Sequence, residues 1–95
     1  MIERTVIDES SRPAFPRGVR LKHDEARSQW VILAPERAFV LDDIALAIMQ
    51  RVDGESTVAG IVDRLAEQFE APRQRILGDV IPLLQDFADK GVIKA

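Results

Sequence analysis

Trp30-Val31-Ile32-Leu33-Ala34-Pro35-Glu36-Arg37-Ala38-Phe39-Val40-Leu41 is the stretch on which the fold turns. It reads as two apolar strands, Trp30–Ala34 and Arg37–Leu41, joined by a tight Pro35-Glu36 turn. Val31, Ile32, Phe39 and Val40 are β-branched or aromatic residues that suit a pleated surface. Proline in the turn presets φ and needs no ladder donor.

Upstream, Val19-Arg20-Leu21-Lys22-His23 alternates apolar and basic side chains, the pattern of a strand with one wet face. Asp24–Gln29 is a polar connection of hairpin length. Three consecutive strands with short links predict an antiparallel meander. If they pair in chain order, the first or third strand is left at an edge with unpaired backbone groups. Such an edge is either a liability or a binding site.

Downstream the period becomes helical. Asp42-Asp43 supplies an N-terminal cap, and Ile44, Ala45, Ile48, Met49 and Val52 recur through a first helix predicted to stop at Asp53-Gly54. Ser56 or Thr57 opens a second helix with Val58, Ile61, Val62, Leu65 and Phe69 on one face. Pro72 opens a third. There Ile76, Val80, Leu83, Leu84 and Phe87 form a stripe that Leu77, Ile81 and Ala88 widen beyond a single face. Pro82 sits inside this helix and predicts a kink. Gly91 closes it, and Val92-Ile93 is expected to pack back. The expected fold is α+β and winged helix-turn-helix-like: a three-stranded antiparallel sheet followed by a three-helix bundle, over residues 19–95. Residues 1–18, polar and broken by Pro13 and Pro16, are expected to form a flexible lead-in or linker, with Phe15 the one residue suited to clip onto the domain.

Composition excludes several function classes. The 95 residues carry a net charge of −3, which gives the molecule as a whole no affinity for phosphate backbones or anionic lipid. There is no cysteine and hence no disulfide or thiol chemistry. No export signal and no membrane span are evident, so a cytoplasmic location is expected. The sole histidine, His23, has no evident partner beyond Asp24, and the bland reading is a surface histidine. Asp42-Asp43 reads as a cap, since adjacent residues do not face each other on a helix. Asp53–Ser56 is a turn between helices and not a phosphate cradle. No catalytic residue, metal site or cofactor is expected.

Two readings of the outline stand side by side. A winged helix-turn-helix would place the last helix in a DNA groove, but Arg73, Arg75 and Lys90 are offset there by Asp79, Asp86 and Asp89. The other reading is peptide or protein recognition, with an extended segment added to Arg37–Leu41 and packed against the third helix. Ladder hydrogen bonds contribute only about 0.5–1.5 kcal/mol each, short of the roughly 8 kcal/mol of a micromolar complex. Apolar anchors against Phe39, Val80 or Leu84 would supply the rest. The same residues are equally explained as plain core, and the free edge as a site of self-association.

Taken together, Arg17-Gly18-Val19-Arg20-Leu21, Trp30-Val31 with Pro35-Glu36-Arg37, Asp53-Gly54 and Asp79-Val80 resemble the PqqD family of pyrroloquinoline quinone biosynthesis. The resemblance runs from about Pro16 to the C-terminus. It implies a peptide chaperone and recognition element that performs no chemistry, binds the precursor peptide PqqA, and presents it to the radical SAM enzyme PqqE, which cross-links a glutamate and a tyrosine of that peptide. It implies strand addition at Arg37, Ala38, Phe39, Val40 and Leu41, against Ile76, Val80, Leu83, Leu84 and Phe87. Arg37 and Arg75 would attract an acidic peptide, and Asp79 would position the groove or meet the enzyme. It also implies that the lead-in is a remnant of a fusion linker.

Overall fold

The computed structural model describes residues 4–95, and the first three positions of the expected lead-in lie outside the described residues. Its elements run β1 (Arg20–Asp24), β2 (Gln29–Ala34), β3 (Arg37–Leu41), α1 (Asp43–Met49), α2 (Val58–Gln68) and α3 (Arg73–Asp89). The sheet is antiparallel in the order β1-β2-β3, so the central strand is the most apolar one and both β1 and β3 are edges.

Period-two alternation divides the sheet. Ile32, fully buried, and Leu41 point into the core, with Leu21 and Phe39 packed against it. Val31, Leu33, Ala38 and Val40 belong to the opposite face; Val31 is covered by its strand neighbours yet stands outside the core cluster. The Pro35-Glu36 turn holds Glu36 at φ +60°, the left-handed region its Cβ disfavours. Glu36→Gly is expected to raise stability by about 0.5 kcal/mol, the relieved strain exceeding the added chain entropy, as a small increase in the urea midpoint.

The helices bury the stripes that the sequence predicts. Asp42 caps α1 by accepting the Ala45 amide at 2.8 Å, and Thr57 caps α2 by accepting that of Gly60 at 3.1 Å. α1 stops at Met49, earlier than the Asp53-Gly54 stop that the sequence predicts. Arg51 and Val52 donate to Ile48 and Met49, tightening the chain and turning Val52 into the core. Asp53-Gly54 has a different task. The Asp53 carboxylate accepts the amides of Glu55 and Ser56, and Gly54, at φ +78°, donates to the Pro13 carbonyl. A Cβ there would lie 3.3 Å from that of Ala14, so glycine serves both the left-handed turn and the close approach of the Ala14 side chain.

α3 begins after Pro72 and ends at Asp89 with Lys90 as its cap; Gly91, φ +75°, turns the chain away, with Gly91 donating to Ala88 and Val92 to Phe87. Val92 and Ile93 then fold back into the core as expected. Pro82 lies on the exposed side of α3, four residues beyond Gly78.

The N-terminal segment differs from the flexible lead-in its composition predicts. Arg4 pairs with Asp89 at 2.8 Å, the Gln85 side chain holds the Ile7 amide and the Thr5 carbonyl, and Glu9 joins Asp63 on Arg73. Residues 4–9 therefore run along α3 from its end to its start. Ile7 is 4% exposed within the core, and Phe15 packs against it. Glu9 and Ser11 accept the amides of Ala59 and Val58 at the open end of α2, and Ala14 bridges to Lys94. The strap is held by backbone partners, the ion pairs of Arg4 and Glu9, and the buried side chains of Ile7 and Pro13.

Its carboxylates predict an acid response. The Ser10 hydroxyl and amide hold Asp8 below the usual carboxylate range, the Arg4 guanidinium does so for Asp89, and the amides of Ser56 and Glu55 do so for Asp53. A depressed carboxylate contributes stability that is present above its unfolded pKa, about 3.9, and lost as pH falls through the folded value. Amide protection at residues 4–11, taken relative to the intrinsic exchange rate at each pH, should therefore fall below about pH 4, ahead of that of Val80–Phe87.

Candidate functional site

The site is assembled from β3, α1, the end of α2 and one side of α3. Ala34 and Arg37 flank the two-residue turn and form its closing pair, which makes 34/37, 32/39 and 30/41 the hydrogen-bonded pairs of the β2–β3 ladder. Ala38 and Val40 consequently direct their N–H and C=O groups away from β2, to the free edge. Among the described residues no further strand pairs there.

Beside this edge, the first half of β3 lies over the end of α3. Phe39 meets Phe87 edge-on at 5.8 Å. Arg37 donates to the Lys90 carbonyl at 2.9 Å, and its guanidinium and the Lys90 ammonium lie 5.5 and 5.6 Å from the Phe39 ring. At the other end, where β3 passes into α1, a cleft of about 280 Å³ opens. Ile44, Ala47 and Ile48 form one wall, Leu65, Phe69 and Ala71 the base of α2, and Arg75, Ile76, Asp79 and Val80 the opposite wall.

The sequence-predicted residues thus divide by role. Arg75, Ile76, Asp79 and Val80 meet in the cleft, and Leu83 is half-buried on the same side of α3. Leu84 and Phe87 lie beneath as core. Phe39 and Leu41 send side chains inward, whereas Ala38 and Val40 offer the edge only their backbone. Arg37 is committed to pinning the strand to α3. Among the described residues Arg75 joins no ion pair, while Arg73 is held by Glu9 and Asp63, and Lys90 by Asp86. Two of the three cations that a DNA-reading helix would present are therefore engaged within the fold.

Ile44 and Phe69 escape sequence reasoning. Both fit core stripes by period, yet they are 61% and 53% exposed at the cleft mouth. Each is at a helix terminus, where the periodic face passes beyond its partners. Their position beside Asp42-Asp43 and Ala71-Pro72 was the available signal.

Among the described residues no group of histidines or carboxylates is placed to hold a metal, and no helix is long and apolar enough to cross a membrane. His23 lies 5.0 Å from the Trp30 ring, away from the cleft residues.

Comparison with known proteins places this architecture. Residues 29–93 match the family model of Coenzyme PQQ synthesis protein D (PqqD). A protein of Bradyrhizobium diazoefficiens named PqqA binding protein is 51% identical over 87 residues, which cover 92% of this chain and 84% of the relative. One of the same name from Xanthomonas euvesicatoria pv. vesicatoria is 47% identical over 93% of this chain and 96% of its own. The solution structure of the PqqD truncation of Methylobacterium extorquens PqqCD, described as a stand-alone recognition element for ribosomally synthesised and modified peptides, is 43% identical. It superimposes with a TM-score of 0.82 over 96% of this chain and 97% of that one. The crystal structure of PqqD from Xanthomonas campestris is 47% identical, with a TM-score of 0.61 over 95% and 100% of the two chains. With the family model spanning most of the chain and relatives near half identity over nearly its whole length, this chain belongs to the PqqD family.

Proposed function

We propose that this chain is a peptide chaperone of pyrroloquinoline quinone biosynthesis, which binds the precursor peptide PqqA as a fourth strand on β3 and presents it to the radical SAM enzyme PqqE. The observation that carries the reading is the free edge at Ala38 and Val40, on the strand that leads into α1, together with an apolar cleft between α1, α2 and α3 that bears Arg75 and Asp79. An extended peptide would take its direction from the edge amides and its affinity from side chains seated against Ile76, Val80 and Leu83. Arg75 would raise the encounter rate of an acidic segment more than it deepens binding. The chain acts by positioning and performs no bond chemistry of its own. The names of its relatives and the recognition-element description of the M. extorquens domain support this reading.

The test is titration of ¹⁵N-labelled protein with synthetic PqqA. Shifts concentrated at Arg37–Leu41, Ile44 and Ile76–Leu83 are expected. Saturable shifts confined elsewhere would move the site, and no shifts at millimolar peptide would overturn peptide binding itself.

A further inference from the structure

We propose that the outer face of the sheet is a second docking surface, shaped for a protein patch with an apolar centre and an acidic rim, and completed by the peptide strand. The completion rests on strand addition at β3; the docking face itself does not.

Val31, Leu33, Ala38 and Val40 form two cross-strand pairs, Val31 with Val40 and Leu33 with Ala38, on the side of the sheet away from the core. Val40 is 64% exposed there. Arg20 and Lys22 stand on the same face of β1, opposite Leu33 and Val31, exposed and outside every ion pair among the described residues. The one carboxylate on this face within β1, Asp24, accepts the Arg27 amide of its own turn. The patch is thus locally cationic on a molecule of net charge −3. A second copy docking by the same patch would set these cations near one another. An acidic-rimmed heterologous partner satisfies both halves of the surface.

A strand added to β3 extends this face by one strand, and every second peptide side chain would stand beside Ala38 and Val40. The partner would then read chaperone and peptide together, and would bind the loaded form more tightly than the empty one.

The probe is purified PqqE, with binding measured by calorimetry in the presence and absence of saturating PqqA. The double reversal Arg20→Glu/Lys22→Glu lies on exposed side chains away from β3. It should leave PqqA affinity within twofold and weaken PqqE binding at least tenfold, and PqqA should strengthen binding of PqqE to the unaltered protein. Undiminished PqqE affinity in the reversal variant, or no PqqE binding by the unaltered protein, would overturn the docking face. PqqE binding that is reversal-sensitive but indifferent to bound PqqA would overturn its completion by peptide. Failure of PqqA itself to bind falls on strand addition and is read separately, from the peptide titration.

Discussion

Ala38→Pro is expected to weaken PqqA binding about thirty-fold, or ~2 kcal/mol, while leaving the folded domain intact. The Ala38 N–H faces the free edge, so its loss costs β2 nothing, and proline is tolerated on an edge strand in that orientation. One ladder bond accounts for about 1 kcal/mol of the loss. The rest follows from the pyrrolidine ring, which occupies the space where the added backbone would lie. His23→Pro supplies the control. The β1–β2 register leaves the His23 N–H facing the opposite free edge, so the same chemistry there should not alter peptide affinity. Fluorescence anisotropy with labelled PqqA measures both. Equal affinities for the two variants would exclude strand addition at β3, and loss in His23→Pro alone would relocate it to β1.

Ile7→Ala is expected to destabilise the protein by about 2–4 kcal/mol, because a side chain 4% exposed in the core would leave a cavity. A chain of this size has a total stability of roughly 5–14 kcal/mol, so the loss is a large fraction of the whole. The melting temperature should fall by roughly 10–25 °C, a shift that differential scanning calorimetry resolves easily. An unchanged transition would mean that the strap contributes nothing to the cooperative unit, as the composition of residues 1–18 suggests.

These two residues mark where the sequence was readable and where it was not. β3 was legible because alternation, a proline turn and β-branched residues agree at adjacent positions, and its status as an edge follows from chain order alone. The strap was not legible. Its anchors are carbonyls accepting amides from α2, a glutamine side chain, two ion pairs and the buried Ile7 and Pro13, none of which leaves a period. That omission also blurred α3. Its apolar surface is too wide for one partner because it serves two: Ile76 borders the cleft with Leu83 on the same side, while Leu77, Ile81 and Ala88 fall on the side marked by Gln85, where the strap runs. Periodicity reports that a face is apolar but not which neighbour covers it. Hence the period alone does not separate Leu84 and Phe87, which are core, from the cleft residues, nor Ile44 and Phe69, which open on the cleft, from the core.

Gly78 and Pro82 have a mechanical consequence for the third helix. Proline gives the Gly78 carbonyl no partner, and glycine in an exposed turn stiffens nothing around it. α3 is nonetheless one continuous helix, Arg73–Asp89, which lacks this one main-chain hydrogen bond. Both halves are anchored, the first by Glu9 and Asp63 on Arg73 and the second by Phe39, Gln85 and the Arg4–Asp89 pair, while Arg75 and Ile76 line the cleft from the first. The missing bond falls between the two anchored ends, so any adjustment of the cleft wall to side chains of differing bulk would be taken up there.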